Sequence, residues 1–474
     1  MWYWIYQISG WALTVVLIPI LARRHAPSKA LGWLAIMFAL PWVGHALYVA
    51  FAENPLGRRR VARYRWFAET SPPGRRLIGI AGQTPAEHLG PRDRALEQLA
   101  RSCGALAAAG GNDATLIDNH DEMVRSVERD IDAARHHVHM IFYIFRADAT
   151  GQRIGEALCR AARRGVRCRV IADWVGSYHL DSSDIGQAMK DAGVQLRLAL
   201  PANPLRKRLR RFDLRNHRKL IVVDAACAYL GSWNVLDPAG SPARAGPYED
   251  LAIRLTGPVV PQAQLLFLED WQFETGEDID DDDVFVEPQG RGDVSAQVVA
   301  SGPLYPCQPV RDLTVTMIGL ARRRVILTTP YFVPDQPLQL ALRLAAQRGV
   351  RVDLLGPMAS DSRVVDAAAL AYHMELIQAG VRVHLLAGTF LHGKGITVDD
   401  DACWLGSANM DIRSFRLNVE SNLLIFSNAV AKAMRELLER RIAAAEEITP
   451  HWLRRRWFTT RISGQVAKLA SPLI

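Results

Sequence analysis

The stretch NHRKLIVVDAACAYLGSWNV, residues 216–235, sets His217 two positions before Lys219 and Asp224 five positions after that lysine. LHGKGITVDDDACWLGSANM, residues 391–410, repeats the spacing with His392, Lys394 and Asp399. In both copies G-S-x-N follows at the same distance, supplying Ser232 and Asn234 in the first and Ser407 and Asn409 in the second. In an extended strand, residues i and i+2 share a face. His217 and Lys219 therefore project together, as do His392 and Lys394, and each serine–asparagine pair does the same on the strand that follows. Either copy alone is a weak signal. Two copies offer two imidazoles, two ammonium groups and two amides.

That inventory suits phosphorus chemistry. Lysine and asparagine donate hydrogen bonds to phosphoryl oxygens and stabilise the charge that builds there in the transition state. One histidine can attack phosphorus while the other gives a proton to the leaving oxygen. A carboxylate on the far ring nitrogen would orient each imidazole. Neither copy supplies both an attacker and an acid, so the two are expected to build one site.

The sequence around the motifs repeats as well. AARRGVRCRV from Ala161 and AAQRGVRVDL from Ala345 have the same pattern, a helix ended by glycine and followed by a strand. The expected architecture is α/β, with two pseudo-twofold-related halves, residues 113–285 and 286–474, sharing one active site. SPPGRR at 71–76 and AAAGGND at 107–113 are expected to be loops within a linker region, 61–112. GEDIDDDDV at 276–284 is read as a solvated acidic linker, since it lacks the ligand spacing of a calcium loop.

The chain has 474 residues and a net charge of +8, which favours anionic partners without choosing between nucleic acid and lipid. Residues 1–22 and 30–52 carry no acidic residue and no lysine or arginine, and each is long enough to cross a bilayer as a helix. Residues 1–60 are thus expected to form a transmembrane helical hairpin, its second helix bent at Pro41. Arg58, Arg59, Arg60, Arg63 and Arg65 outnumber Arg23, Arg24 and Lys29 in the turn, which places the body on the cytoplasmic side. The six scattered cysteines are expected to be free thiols, consistent with a reducing compartment. The basic runs PLRKRLRRFDLR at 204–215 and HWLRRRWF at 451–458 would each suit an anionic surface.

The doubled H-x-K-x-x-x-x-D with G-S-x-N resembles the signature of the phospholipase D superfamily. The fit is best to its bacterial cardiolipin synthases. PSKALGWLAIMFALPWVG, LDPAG, TTPYFVP, NMDIRSFRLNVESN and the terminal SPLI carry that resemblance along nearly the whole chain. It implies two phospholipase D-like α/β sandwich halves and a cell-membrane enzyme that joins two phosphatidylglycerol molecules into cardiolipin and releases glycerol. His217 would be the nucleophile that becomes a phosphohistidine, and His392 the general acid and later base. Lys219, Lys394, Asn234, Asn409, Ser232 and Ser407 would hold the phosphate, and Asp250 and Glu420 would orient the histidines. Asp224 and Asp399 belong to the catalytic signature, although their expected task is to brace strands. Tyr331 would line the pocket, and Gly393, where the family often has a hydroxyl residue, is expected to matter little. The resemblance implies no cofactor and no metal. Partners would be phosphatidylglycerol and other anionic lipids, with no nucleic acid, and a homo-oligomer stays open. Three rivals stand beside this reading: a phospholipase D or a synthase with another acceptor such as phosphatidylethanolamine, a nuclease of the same fold, and a membrane-anchored scaffold with an inactive enzyme fold.

Overall fold

One strand that the sequence disguises as a loop organises the sheet. In the computed structural model, which describes the chain outside residues 26, 52–61, 63–65, 68–69, 88, 202–213, 242–243, 288–289, 456–466 and 469–474, AAAGGND is not a loop. It leads into the strand Ala109–Ile117. Gly111 takes φ 78°, a left-handed conformation natural to glycine, and the pairing shifts register there. Asn112, fully buried, closes the irregularity. Its Nδ2 donates to the carbonyls of Ala109 at 2.7 Å and Val294 at 2.9 Å, and its Oδ1 accepts the Val259 N–H at 2.7 Å.

This strand pairs antiparallel with Val294–Ser301, and the two halves extend outward from that pair as a single 15-stranded sheet. On one side the order is Ala252–Thr256, Cys227–Gly231, Leu220–Val223, His137–Phe142, Arg167–Asp173 and Gln195–Ala199. On the other it is Glu420–Phe426, Ala402–Gly406, Gly395–Val398, Arg324–Thr328, Arg351–Pro357 and Arg382–Leu386, with Glu446–Ile448 added at the edge. Strand for strand the two series correspond, as the repeated sequence predicts. The helices Val260–Thr275 and Asn428–Ala444 are also counterparts, and each packs behind the motif strand of its half.

Several local expectations change. SPPGRR opens the helix Pro72–Ala81 rather than a linker. Ser71 Oγ caps it by accepting the Gly74 N–H at 3.2 Å, and proline is well tolerated in a first turn. The acidic run is solvated as expected at Glu277, Asp278, Asp280 and Asp282, but Asp281 pairs with Arg169 at 3.0 Å and Asp283 with Arg167. Cys103 and Cys307, 204 positions apart, form a disulfide with a Cα–Cα distance of 5.6 Å, so free thiols no longer support a reducing compartment. The other four cysteines are buried and free.

The N-terminal unit, within residues 1–61, is separate from the large one. Trp2–Arg24 is one continuous apolar helix, long enough to cross a membrane. The second segment is not continuous. It breaks at Leu40 into Pro27–Ala39, of 13 residues, and Pro41–Phe51, of 11 residues, each short of the ~20 that a span needs. Pro41 has no N–H for an i−4 bond, and a side chain at Gly10 would meet its Cβ at 2.2 Å, so the break packs against the first helix. Trp11 Nε1 donates to the Phe38 carbonyl at 2.9 Å, and Leu21, Ala30, Met37 and Tyr48 form the unit's small core. The basic run after this unit and the run at 204–215 lie almost wholly outside the described residues, as does the end of the one at 451–458.

Asn112→Leu should lower stability by about 1–3 kcal/mol for each backbone group left unpaired, with a matching fall in the thermal midpoint. Calorimetry of the variant checks this.

Candidate active site

The motif's aspartates explain its spacing. Each motif strand is followed by a two-residue turn with positive φ at both central positions: Asp224 and Ala225 at 51°, and Asp399 and Asp400 at 55° and 64°. Val223 accepts from Ala226 N–H at 2.9 Å and Val398 from Asp401 N–H at 3.1 Å, closing turns of the type that suits strand twist. Aspartate tolerates this conformation better than most residues. The Asp224 carboxylate accepts the N–H groups of Arg135, His136 and His137, each at 2.8 Å. Asp399 accepts those of Arg322, Arg323 and Arg324 at 2.7–2.8 Å. Their oxygens are thus occupied on the neighbouring strand, so Asp224 and Asp399 are braces and leave the catalytic set.

The histidines sit before the regular strands, which begin at Leu220 and Gly395. There the chain pairs across the two halves. His217 N–H donates to the Val419 carbonyl at 2.8 Å, and His392 N–H to the Glu249 carbonyl at 2.7 Å. Each partner carbonyl belongs to the residue just before an acid. The register therefore delivers Glu420 to His217, with Nδ1 to carboxylate distances of 2.9 and 3.1 Å, and Asp250 to His392 at 2.6 Å. Every dyad takes its imidazole from one half and its carboxylate from the other.

Around the dyads the arrangement repeats. Ser232 Oγ donates to Asp250 at 2.6 Å and Ser407 Oγ to Glu420 at 2.5 Å. The serines therefore hold the carboxylates, not a phosphate as their motif position implied. Lys219 Nζ donates to the His217 carbonyl at 2.8 Å and Lys394 Nζ to that of His392 at 2.6 Å, which aligns each ammonium beside its imidazole. Asn234 Oδ1 accepts the Ile144 N–H at 3.2 Å, and Asn409 bonds to Asp411. Both histidines, both lysines and both asparagines are buried.

Burial governs the electrostatics. It pushes His217 down to about 4 despite Glu420, and His392, with Lys394 nearby, down to about 3. Lys219 falls to about 8 against the pull of Glu420 and Asp250, and Lys394 falls well below its ordinary value. Burial would raise Asp250, but His392 and Lys394 outweigh it and hold that carboxyl below the usual range. Each imidazole feels the lysine of the other half, so the groups form one site. Such a site wants an anion. A phosphodiester between these cations supplies the charge whose absence makes them costly, and raises their proton affinity on binding.

With both Nδ1 atoms held by carboxylates, each Nε2 is the ring nitrogen left for chemistry. Two copies of one half-site, joined across a pseudo-twofold, can attack and protonate a single phosphodiester. The family model described as "Cardiolipin synthase, PLD-like domain" matches twice, over residues 127–253 and 314–442, one match per half. The chain is 33% identical to cardiolipin synthase A of Yersinia pseudotuberculosis serotype O:3 and of Yersinia pestis, over 99% of its own length and 98% of theirs. This chain belongs to the phospholipase D-like cardiolipin synthase family. Its fold is also that of a phosphatidylserine synthase from Haemophilus influenzae, with a TM-score of 0.59, 14% identity, and coverage of 80% of this chain and 99% of that one.

Within this cardiolipin synthase fold, some neighbours of the histidines escaped sequence reading. The Tyr143 ring lies 4.9 Å from that of His217 and 5.4 Å from Lys219 Nζ. The Tyr248 ring lies 5.2 Å from His392. Asn418 Nδ2 donates to Glu420 at 3.3 Å, and burial raises Asp411 to about 6. Tyr248 and Asn418 each precede a dyad acid by two positions, a signal the repeat carried unread. The Tyr331 hydroxyl bonds to Asp361 at 2.7 Å; its ring lies beside Phe390, which is 5.6 Å from His392, and it interacts electrostatically with Tyr248 and Asp411.

Two outcomes follow from these contacts. Asp224→Ala should cost about 1–3 kcal/mol of stability while kcat stays near wild type, as denaturant titration and initial rates will show. Lys219 discharges in the free protein as pH rises through about 8. KM for an anionic diester should therefore climb above that pH, more than kcat falls, because the bound anion restores the ammonium.

Proposed function

We propose that this protein is a membrane-associated cardiolipin synthase that works by phosphatidyl transfer, joining two phosphatidylglycerol molecules with release of glycerol. The observation that carries the reading is the pair of crossed histidine–carboxylate dyads, set among buried lysines, in a chain related to cardiolipin synthases over its full length. His217 Nε2 attacks the phosphodiester of the first lipid. The P–O bond to glycerol breaks, and His392 gives the departing alkoxide its proton. A phosphatidyl group is then bonded to His217. The terminal hydroxyl of the second phosphatidylglycerol loses its proton to His392 and attacks phosphorus, the N–P bond breaks, and cardiolipin leaves. One diester is exchanged for another, so no external energy source enters the balance.

Lys219, Lys394, Asn234 and Asn409 would stabilise the equatorial oxygens. Glu420 supports the imidazolium character that His217 acquires as a phosphohistidine, and Asp250 keeps the ring of His392 aimed. Lipid substrates suit a chain with an apolar N-terminal span. Multi-pass insertion rests on the two uncharged segments, residues 1–22 and 30–52, and a cytoplasmic body on the arginine excess at residues 58–65.

Purified protein given only phosphatidylglycerol, with a chelator present, should yield cardiolipin and free glycerol in lipid product analysis. His217→Ala should abolish turnover, and His392→Ala should slow it by ~10²–10⁴-fold, the usual worth of a general acid. Phosphatidic acid as the sole product would identify a hydrolase instead. Conversion only after phosphatidylethanolamine is added would make that lipid the acceptor.

A further inference from the structure

Gly393, the middle residue of the second H-x-K, is not a neutral departure. A Cβ there would meet Leu251 Cβ at 3.3 Å, tighter than side chains ordinarily pack, and Arg441 Nη1 at 3.4 Å, the edge of ordinary contact, so a side chain longer than alanine's would compete with the guanidinium for the space. The space is taken by Arg441, which reaches in from the helix Asn428–Ala444. Its guanidinium is buried, with Nη1 having no hydrogen-bond partner among the described residues. Nη2 donates to the backbone carbonyl of Asp250 at 3.4 Å, and Nε lies 3.4 Å from the Glu249 carboxylate.

The first half holds the same group by another route. Arg218, the middle residue of its own H-x-K, is 1% exposed. Its Nε donates to the backbone carbonyl of Glu420 at 3.3 Å, and its Nη1 bonds Asp270 on the helix Val260–Thr275 at 2.6 Å. In each half, then, a buried guanidinium touches the main-chain carbonyl of the dyad acid. One comes from the motif strand toward an acid on the helix. The other comes from the helix, over a glycine on the motif strand. The pseudo-twofold preserves the cation and its contact while exchanging the element that supplies it. A residue placed merely to fill the core has no reason to keep this contact.

We propose that Arg441 is the positioning residue of the His392–Asp250 dyad, the counterpart of Arg218 beneath His217–Glu420, and that Gly393 is glycine to admit it. Arg441 holds both residues on which His392 depends. The Glu249 carbonyl accepts the His392 N–H, and Asp250 accepts from its ring. The inference rests on the reading of His392 as the general acid and base.

The test uses two substrates. Phosphatidylglycerol needs a proton on its leaving alkoxide. A phosphatidyl ester of p-nitrophenol does not, so its nitrophenolate burst reports the attack by His217 alone. Arg441→Met should lower kcat on phosphatidylglycerol by about tenfold or more, the scale of a lost hydrogen bond to a charged partner, with KM within about twofold. The nitrophenolate burst should keep its rate, while the turnover after it slows, because His392 must still deprotonate the acceptor. Arg441→Lys should recover part of the loss, and millimolar guanidinium should restore part of it in Arg441→Ala. Loss of the burst in proportion to kcat, in both the methionine and the lysine variants, would mark Arg441 as structural and overturn the proposal. So would unchanged kinetics throughout. His392→Ala is run beside them: if it too loses the burst, the assignment of His392 fails; if it keeps the burst while Arg441→Met does not, only the role of Arg441 fails.

Discussion

A buried imidazole facing a buried carboxylate from the other half is the constraint on which this molecule turns. Neither charged form is tolerable alone in that environment, and removing one partner leaves an uncompensated group. The pair is acceptable only where the geometry is good and the remaining lone pairs are satisfied, which Ser407 does for Glu420 and Ser232 for Asp250. Such exactness of placement requires a rigid frame. The frame is the continuous sheet, in which the pairing of Ala109–Ile117 with Val294–Ser301 joins the halves. The short cross-half contacts at Asn216–Val419 and Leu391–Glu249 then fix the register of each dyad.

Crossing the dyads has a consequence for the chemistry. Because each histidine depends on the opposite half, neither half can be an active unit, and the two imidazoles are oriented by one shared structure. The duplication is nevertheless imperfect where it matters. Glu420 receives His217, Ser407 and Asn418, while Asp250 receives His392 and Ser232, with the Tyr248 ring standing where Asn418 stands in the other half. Under the proposed mechanism, a longer acid with more donors would suit His217, which would carry positive charge through a covalent intermediate, and the shorter one would suit His392, which would take up and release a proton. Arg218 and Arg441 extend the same theme, one cation reached by two routes.

Membership of the cardiolipin synthase family accords with the apolar N-terminal unit, though not in the form of a simple hairpin. Proline at position 41 divides the second apolar segment into two helices that pack on the first. Length and hydropathy are properties of a segment, whereas the break is a property of one missing N–H and one close approach.

The sequence by itself determined the chemistry and the repeat. Two H-x-K motifs with G-S-x-N at equal spacing named the histidines, lysines and asparagines. Glycine-ended helices before apolar strands revealed two α/β halves, because these signals act within a few residues of one another. It could not reveal which acid served which histidine, since Glu420 lies 203 positions from His217 and Asp250 lies 142 from His392. The loop reading of 107–113 failed because glycines and an asparagine mark turns locally, while here they build a bulge held by a strand distant in the chain. The disulfide from Cys103 to Cys307, the backbone groups that the aspartate braces hold and the arginine beneath Gly393 were hidden for the same reason. Hydrogen bonding and close packing act through space, and only the folded sheet brings those atoms within reach.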